Sequence, residues 1–423
     1  MDVHIKNAMI FDGTGAMPRP GEVIVRGNRI RTVADAGASL EAPGCEVIDG
    51  TGMTLMPGMV EGHAHPSFFG AKSNTEFGDL PVEEHLLATM RNAELLLDHG
   101  FTSLYSAACA KVRLDVVTRN EINAGRARGP RLRAASPELT VTAGLGDDST
   151  LHQTRGSFGF VADGADAIRH ATRICIREGV DNIKINISGD DFVGAKGGQT
   201  VMSEAEVLAA VEVAHDFDRK IACHARASRS VKRALKCGVD VIYHCEQTDH
   251  EALDMLEAAK DRIFVGPAIG LIWNTIHEAQ EFGMTPEVVE RLGMQRVIDM
   301  SCRTYAALRE RGVRVVIGGD YGFAWTPQGT NARDLEHFVN LYGYSPAEAL
   351  ACATSVGGQM MNMGDLGEVR EGYLADLLLV DGDPTRDVRI MQDRSRIMMI
   401  MKDGAIHKHP SAAKRARAAT AAE

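Results

Sequence analysis

The stretch Pro57-Gly-Met-Val-Glu-Gly-His-Ala-His65 decides how this chain is read. A Pro-Gly turn leads into a short β-type run that ends on two histidines. Residues i and i+2 of a strand share a face, so His63 and His65 point together while Ala64 points away. Two neighbouring imidazoles at a strand end supply half the protein ligands of a metal site.

Working outward, apolar runs of the same kind recur at 101–106, 131–135, 182–187, 221–224, 239–244, 263–267 and 313–320. Segments with helical periodicity lie between them, among them 84–99, 165–178, 203–218 and 286–311. Eight strands alternating with helices predict an α/β fold, a (β/α)₈ TIM-like barrel over residues 58–361. A doubly wound open sheet fits the alternation nearly as well, and the polar residues favour the barrel. Lys184 lies in the fourth run, His224 ends the fifth, His244 ends the sixth and Asp320 closes the eighth. In a barrel those ends converge on one rim, where active sites are built. One histidine alone is more often a hydrogen-bonded core residue. Five strand ends carrying such groups in barrel order predict a metal centre.

The chain ends have a different texture. Short β-type runs at 3–11, 21–33 and 45–55, broken by Gly, Pro and Asp, return at 376–381 and 397–404. They predict a small discontinuous β-sandwich domain from residues 1–57 and 362–408. The Ala-rich stretch 409–423 reads as a flexible or helical tail.

Composition limits the partners. The 423 residues carry a formal net charge of −11, which argues against nucleic acid or an anionic membrane surface. No apolar run reaches the roughly 18 residues of a membrane span, and no basic-then-apolar leader opens the sequence. Eight cysteines without a C-x-x-C pair read as reduced thiols, and the expected compartment is the cytoplasm. Gly194-Ala-Lys-Gly-Gly-Gln lacks the end of a phosphate loop and reads as a rim loop.

Four histidines, an aspartate and a lysine exceed the needs of one catalytic Zn²⁺, which takes about three protein ligands and a water. They suit two divalent metals if Lys184 supplies a bridge. An ammonium beside dications cannot ligate, but a neutral amine can take up CO₂ as a carbamate with two bridging oxygens. The expected assignment is His63, His65 and Asp320 at one site and His224 and His244 at the other, joined by the carbamate on Lys184. Zn²⁺ suits these ligands, as do Co²⁺, Mn²⁺ and Fe²⁺. Asp320 is the expected catalytic proton carrier. Arg226, Tyr243, Tyr321 and Trp325 are candidate substrate contacts, Arg226 as a two-pronged carboxylate anchor. Phe68, Phe69, Phe323 and Trp325 are candidates for an apolar wall.

Pro57-Gly-Met-Val-Glu-Gly-His-Ala-His, Ile183-Lys-Ile, Cys223-His, Tyr243-His and Gly318-Gly-Asp together resemble the amidohydrolase superfamily of metal-dependent hydrolases. The resemblance extends to Gly372-Tyr-Leu-Ala-Asp-Leu-Leu-Leu-Val-Asp-Gly-Asp-Pro and Met401-Lys-Asp-Gly near the C-terminus. It implies a barrel, a carbamylated lysine, a small-molecule substrate and a homo-oligomer. Strand spacing is similar to the imidazolonepropionase-like and Xaa-Pro-dipeptidase-like group, although Leu145 stands where that group carries a histidine. Tyr243-His-Cys-Glu and the segment from Gly319 are more similar to the phenylurea and molinate hydrolases. The implied activity is hydrolysis of an amide-type C–N bond in a urea, carbamate, thiocarbamate or N-acyl amine. An Xaa-Pro-type dipeptidase or N-acyl-amino-acid hydrolase is the alternative, and a non-catalytic barrel scaffold is the alternative of another class.

Overall fold

The computed structural model describes residues 2–410, apart from 39, 41, 154–156 and 192–194. The expected tail therefore lies outside the described residues from position 411 onward, as does Gly194 of the rim loop. The chain divides into two compact units. One comprises Met1–Glu61, Glu94–Ser103 and Leu335–Glu423; the other comprises Gly62–Ala93 and Leu104–Asp334.

The first unit is built on an eight-stranded sheet. Its order runs Ala405–Lys408, Ile397–Lys402, Leu377–Asp381, Met53–Pro57, Val3–Ile10, Arg19–Arg26 and Arg29–Asp35, with Glu46–Asp49 also paired to Val3–Ile10. The run expected at 21–33 is two strands, because Gly27 adopts φ +59° and turns the chain into a hairpin. Strands from both chain ends share one buried cluster that includes Ile5, Val23, Leu55, Leu377 and Met399.

The second unit carries a six-stranded sheet in the order Phe160–Val161, Ala135–Thr140, Asn182–Asn186, Lys220–Ala227, Val241–Gln247 and Phe264–Gly266. Each neighbouring pair is parallel. These strands are buried on both faces, as parallel strands covered by helices must be. A three-stranded sheet joins Met59–Ala64, Phe101–Ser106 and Arg131–Arg133. The eighth expected run is extended without being a regular strand. Val315 bridges Val265 in parallel, and Gly62 donates its amide to Ile317 O at 3.1 Å.

Among the helices, Glu204–Asp216 opens on a capping box in which Ser203 and Glu206 satisfy each other's backbone amides. The single helix expected over 286–311 is two, Pro286–Leu292 and Met294–Glu310. Gly293 at φ +68° ends the first, since a left-handed residue stops the helical ladder. No helix of the described residues is long and apolar enough to cross a membrane.

Gly62 fixes how closely the extended segment 313–317 approaches. A Cβ at Gly62 would stand 2.8 Å from Ile317 O and 2.8 Å from the Val316 side chain. Gly62→Ala should cost about 1–3 kcal/mol of stability through overpacking, read as a lower midpoint in urea denaturation.

Candidate metal centre

The six residues singled out from the strand ends, His63, His65, Lys184, His224, His244 and Asp320, all line one cavity of about 150 Å³. His63 lies in Met59–Ala64, Lys184 in Asn182–Asn186, His224 in Lys220–Ala227 and His244 in Val241–Gln247. His65 and Asp320 immediately follow their extended segments. Ligand atoms of His63, His65 and Asp320 lie within 4.8 Å of one another. His65 Nε2 is 3.0 Å and His63 Nε2 3.8 Å from Asp320 Oδ1. The His224 and His244 ring centroids are 4.0 Å apart, and His244 meets His63 edge-on at 5.5 Å.

Hydrogen bonds decide which nitrogen of each ring is available. His65 Nδ1 lies 3.0 Å from Ala108 O, and a carbonyl can only accept, so the proton sits on Nδ1. In the neutral ring, Nε2 then turns a lone pair toward the Asp320 carboxylate at 3.0 Å. Two lone pairs at that distance repel, and a cation between them relieves the repulsion. His224 makes the complementary choice: Nε2 donates to Gly189 O at 3.0 Å, which leaves Nδ1 as its lone-pair nitrogen. His244 Nδ1 is buried without a hydrogen-bond partner among the described residues. Backbone carbonyls that orient metal-binding imidazoles in this way are the usual outer support of such sites. The donor set fits divalent cations.

Burial disfavours charge on three of these rings. Burial holds His63 and His244 well below the ordinary imidazole value and His224 at about 3, with Arg226 adding to the effect on His224. Burial alone would raise Asp320. Positive charge at His63, a hydrogen bond and positive charge from His65, and the Lys184 charge outweigh it and hold the carboxyl well below the usual range, so the carboxylate is ionised where cationic charge gathers beside it. His244 and Asp320 also adopt left-handed backbone, at φ +80° and +63°. Strain of that kind persists where surrounding structure holds it, and it gathers at working sites.

The description "Amidohydrolase family" matches residues 54–407, most of the chain. The chain belongs to the amidohydrolase family. This amidohydrolase is 27% identical over 341 residues to the ochratoxinase of Aspergillus niger, covering 74% of this chain and 67% of the relative. A solved Xaa-Pro dipeptidase with bound methionine in its active site superposes with a TM-score of 0.84 and 25% identity, covering 96% of this chain and 100% of that one. A molinate hydrolase shares the fold, with a TM-score of 0.76 at 18% identity and coverage of 96% and 94%. The chain is thus a hydrolase, and the scaffold alternative falls away.

Three of the four candidate substrate contacts in the amidohydrolase have other duties. Tyr243 is fully buried, stacks on His63 at 3.8 Å and donates its hydroxyl to Gly62 O at 2.6 Å. It props an imidazole and does not line the cavity. Tyr321 donates its hydroxyl to Asp334 Oδ1 at 2.9 Å, away from the cavity lining. Arg226 is also buried. Its Nε donates to Asp190 Oδ2 at 2.9 Å, and Nη1 pairs with Glu246. Arg226 and Glu246 each fall two residues beyond a histidine of the site, His224 and His244. The guanidinium is paired with two carboxylates and is not part of the cavity lining. Those carboxylates in turn lie 3.8 Å from His224 and His244. Burial pushes Glu246 up to about 7 against the pull of Arg226. Only Trp325 of the four lines the cavity, its indole N–H held by Thr275 at 3.0 Å.

Sequence reading missed several lining residues, among them Glu138, Asp190, Lys72 and Asn74. Glu138 sits in Ala135–Thr140, accepts from Asn186 Nδ2 at 2.8 Å and is pushed upward by burial. Ending the third run at residue 135, before Pro137, hid it. A strand carried through the proline would have exposed Glu138 as another strand-end carboxylate. Of the expected apolar wall, Phe68, Phe323 and Trp325 line the cavity and Phe69 does not; Leu145, Phe158, Leu271 and Met284 complete it.

Removing the charge of Arg226 leaves Asp190 and Glu246 buried without their common cation. Arg226→Met should therefore cost about 3–5 kcal/mol in chemical denaturation, far more than the same change at an exposed arginine.

Proposed function

We propose that this amidohydrolase cleaves an amide-type C–N bond of a small molecule with two divalent metals, Zn²⁺ being the best match to its ligands. The observation that carries the reading is the opposed pair of acceptors, His65 Nε2 and Asp320 Oδ1 at 3.0 Å, inside a cavity that also holds His63, His224, His244 and Lys184. His63, His65 and Asp320 would hold one metal and His224 and His244 the other, and Lys184 would bridge them as a carbamate formed with CO₂. Bound there, the metals would lower the pKa of water and polarise the scissile carbonyl.

The chain's own groups supply the rest. Asp320 is ionised and accepts a proton at its carboxylate as water adds to the carbonyl carbon. It then delivers that proton to the departing nitrogen, because an amide anion is a very poor leaving group. The products are a carboxylic or carbamic acid and an amine. Phe68, Phe158, Phe323 and Trp325 exclude water and favour an aryl or bulky alkyl group beside the bond.

The bonds from 313–317 to both Gly62 and Val265 support a closed (β/α)₈ ring over 58–361, and residues 1–57 and 362–408 form the β-sandwich domain of this reading. Ureas, carbamates, thiocarbamates and N-acyl amines all fit the proposed chemistry. Similarity to an ochratoxinase and an Xaa-Pro dipeptidase brings N-acyl amino acids and dipeptides into the same range.

Elemental analysis of the purified protein after reconstitution should give about two metal equivalents per chain; none at all would refute the reading. With a substrate found from a panel of phenylureas, thiocarbamates, N-acyl amino acids and Xaa-Pro dipeptides, Asp320→Asn should lower kcat by about 10²–10⁴. Near-normal turnover in that variant would remove Asp320 from its role.

A further inference from the structure

The polar lining of the cavity falls into two groups. The proposed metal ligands, Glu138 and Asp190 come from the strands and their ends, whereas Lys72 and Ser73 come from the turn that follows His65 and Asn74 opens the helix Asn74–Asp79 directly after it. That turn is tied to the apolar wall, because Ala71 bridges Phe323 and accepts the Ala324 amide at 3.0 Å.

The side chains of Lys72 and Asn74 make no hydrogen bond or ion pair among the described residues. Asn74 is only 8% exposed, yet its amide makes no hydrogen bond with any described residue. The Asn74 amide lines the cavity and keeps its hydrogen-bonding capacity for a ligand atom there. The Lys72 backbone amide holds Glu76 Oε2 at 2.9 Å, but the ammonium makes no ion pair among the described residues. One mobile cation and one amide donor match the two oxygens and single charge of a carboxylate. A doubly charged phosphate would call for more donors than these two supply. Arg226 is paired with Asp190 and Glu246 and is not part of the cavity lining.

We propose that Lys72 and Asn74 form an anion subsite that takes the carboxylate of an amide substrate whose scissile bond faces the metal centre, an inference that rests on the hydrolytic reading above. One carboxylate oxygen meets the Lys72 ammonium and the other accepts from Asn74 Nδ2. The apolar wall takes the acyl group. Substrates with a free carboxylate on the amine side are then bound in preference to their neutral counterparts.

Binding can be measured apart from turnover. The probes are N-benzenesulfonyl-L-phenylalanine, whose sulfonamide replaces the scissile amide, and its neutral C-terminal carboxamide, each titrated calorimetrically into the metal-loaded protein. The carboxylate should bind about tenfold more tightly than the carboxamide. Lys72→Met should bring the two within about twofold, and Lys72→Arg should keep most of the preference. Asn74→Ala should weaken the carboxylate about fivefold. Lys72 is exposed, so its variants leave folding intact and the comparison clean. Equal affinities in the unmodified protein, binding of neither probe, or a preference that survives Lys72→Met would overturn the subsite. Failure to hydrolyse N-benzoyl-L-phenylalanine, with the Lys72-dependent preference intact, would count against the hydrolytic reading and leave the subsite standing.

Discussion

A buried imidazole nitrogen facing a partly buried carboxylate is the constraint on which this site depends. In water the repulsion between His65 and Asp320 would be screened; inside the protein it is not, and the groups cannot easily separate. Ala108 O holds the Nδ1 edge of the His65 ring, while Gln328 holds the backbone carbonyls of His65 and Tyr321 at 2.9 and 3.1 Å. The protein thus fixes two acceptors where only a positive charge makes the arrangement favourable. Stability given up at this point becomes affinity for a cation.

The second pair of histidines is supported by charge as well as by backbone. Arg226 is shared between Asp190 and Glu246, and those carboxylates flank His224 and His244 at the same 3.8 Å. A lone guanidinium beside neutral imidazoles would repel an incoming cation. With two acidic partners around it, the cluster presents little net positive charge to the cavity. The apolar wall then sharpens every remaining electrostatic interaction by keeping solvent away.

How much of this could be read from the residues follows from the range of the forces. The period of two along a strand put His63 with His65, and the order of the alternating strands predicted that Lys184, His224, His244 and Asp320 gather around one cavity. Both are properties of local backbone and connectivity, so the alternating pattern carries them. The fates of Arg226, Tyr243 and Tyr321 are settled by partners far along the chain: Glu246, Gly62 and Asp334. No local pattern marks a guanidinium as already paired. Glu138 and the break at Gly293 were missed for a related reason, since a proline that stays within a strand and a glycine that ends a helix depend on tertiary fit.

The wide spacing of the ligands along the chain governs how the protein matures. His63 and His65 leave the ribosome early, and Asp320 emerges only after all the parallel strands. A nascent chain therefore displays a lone pair of histidines for much of its synthesis, and such a pair grips transition metals only weakly. Under the proposed metal reading, firm loading waits for the last segment to dock against Gly62, and metal capture becomes a late checkpoint on completed folding.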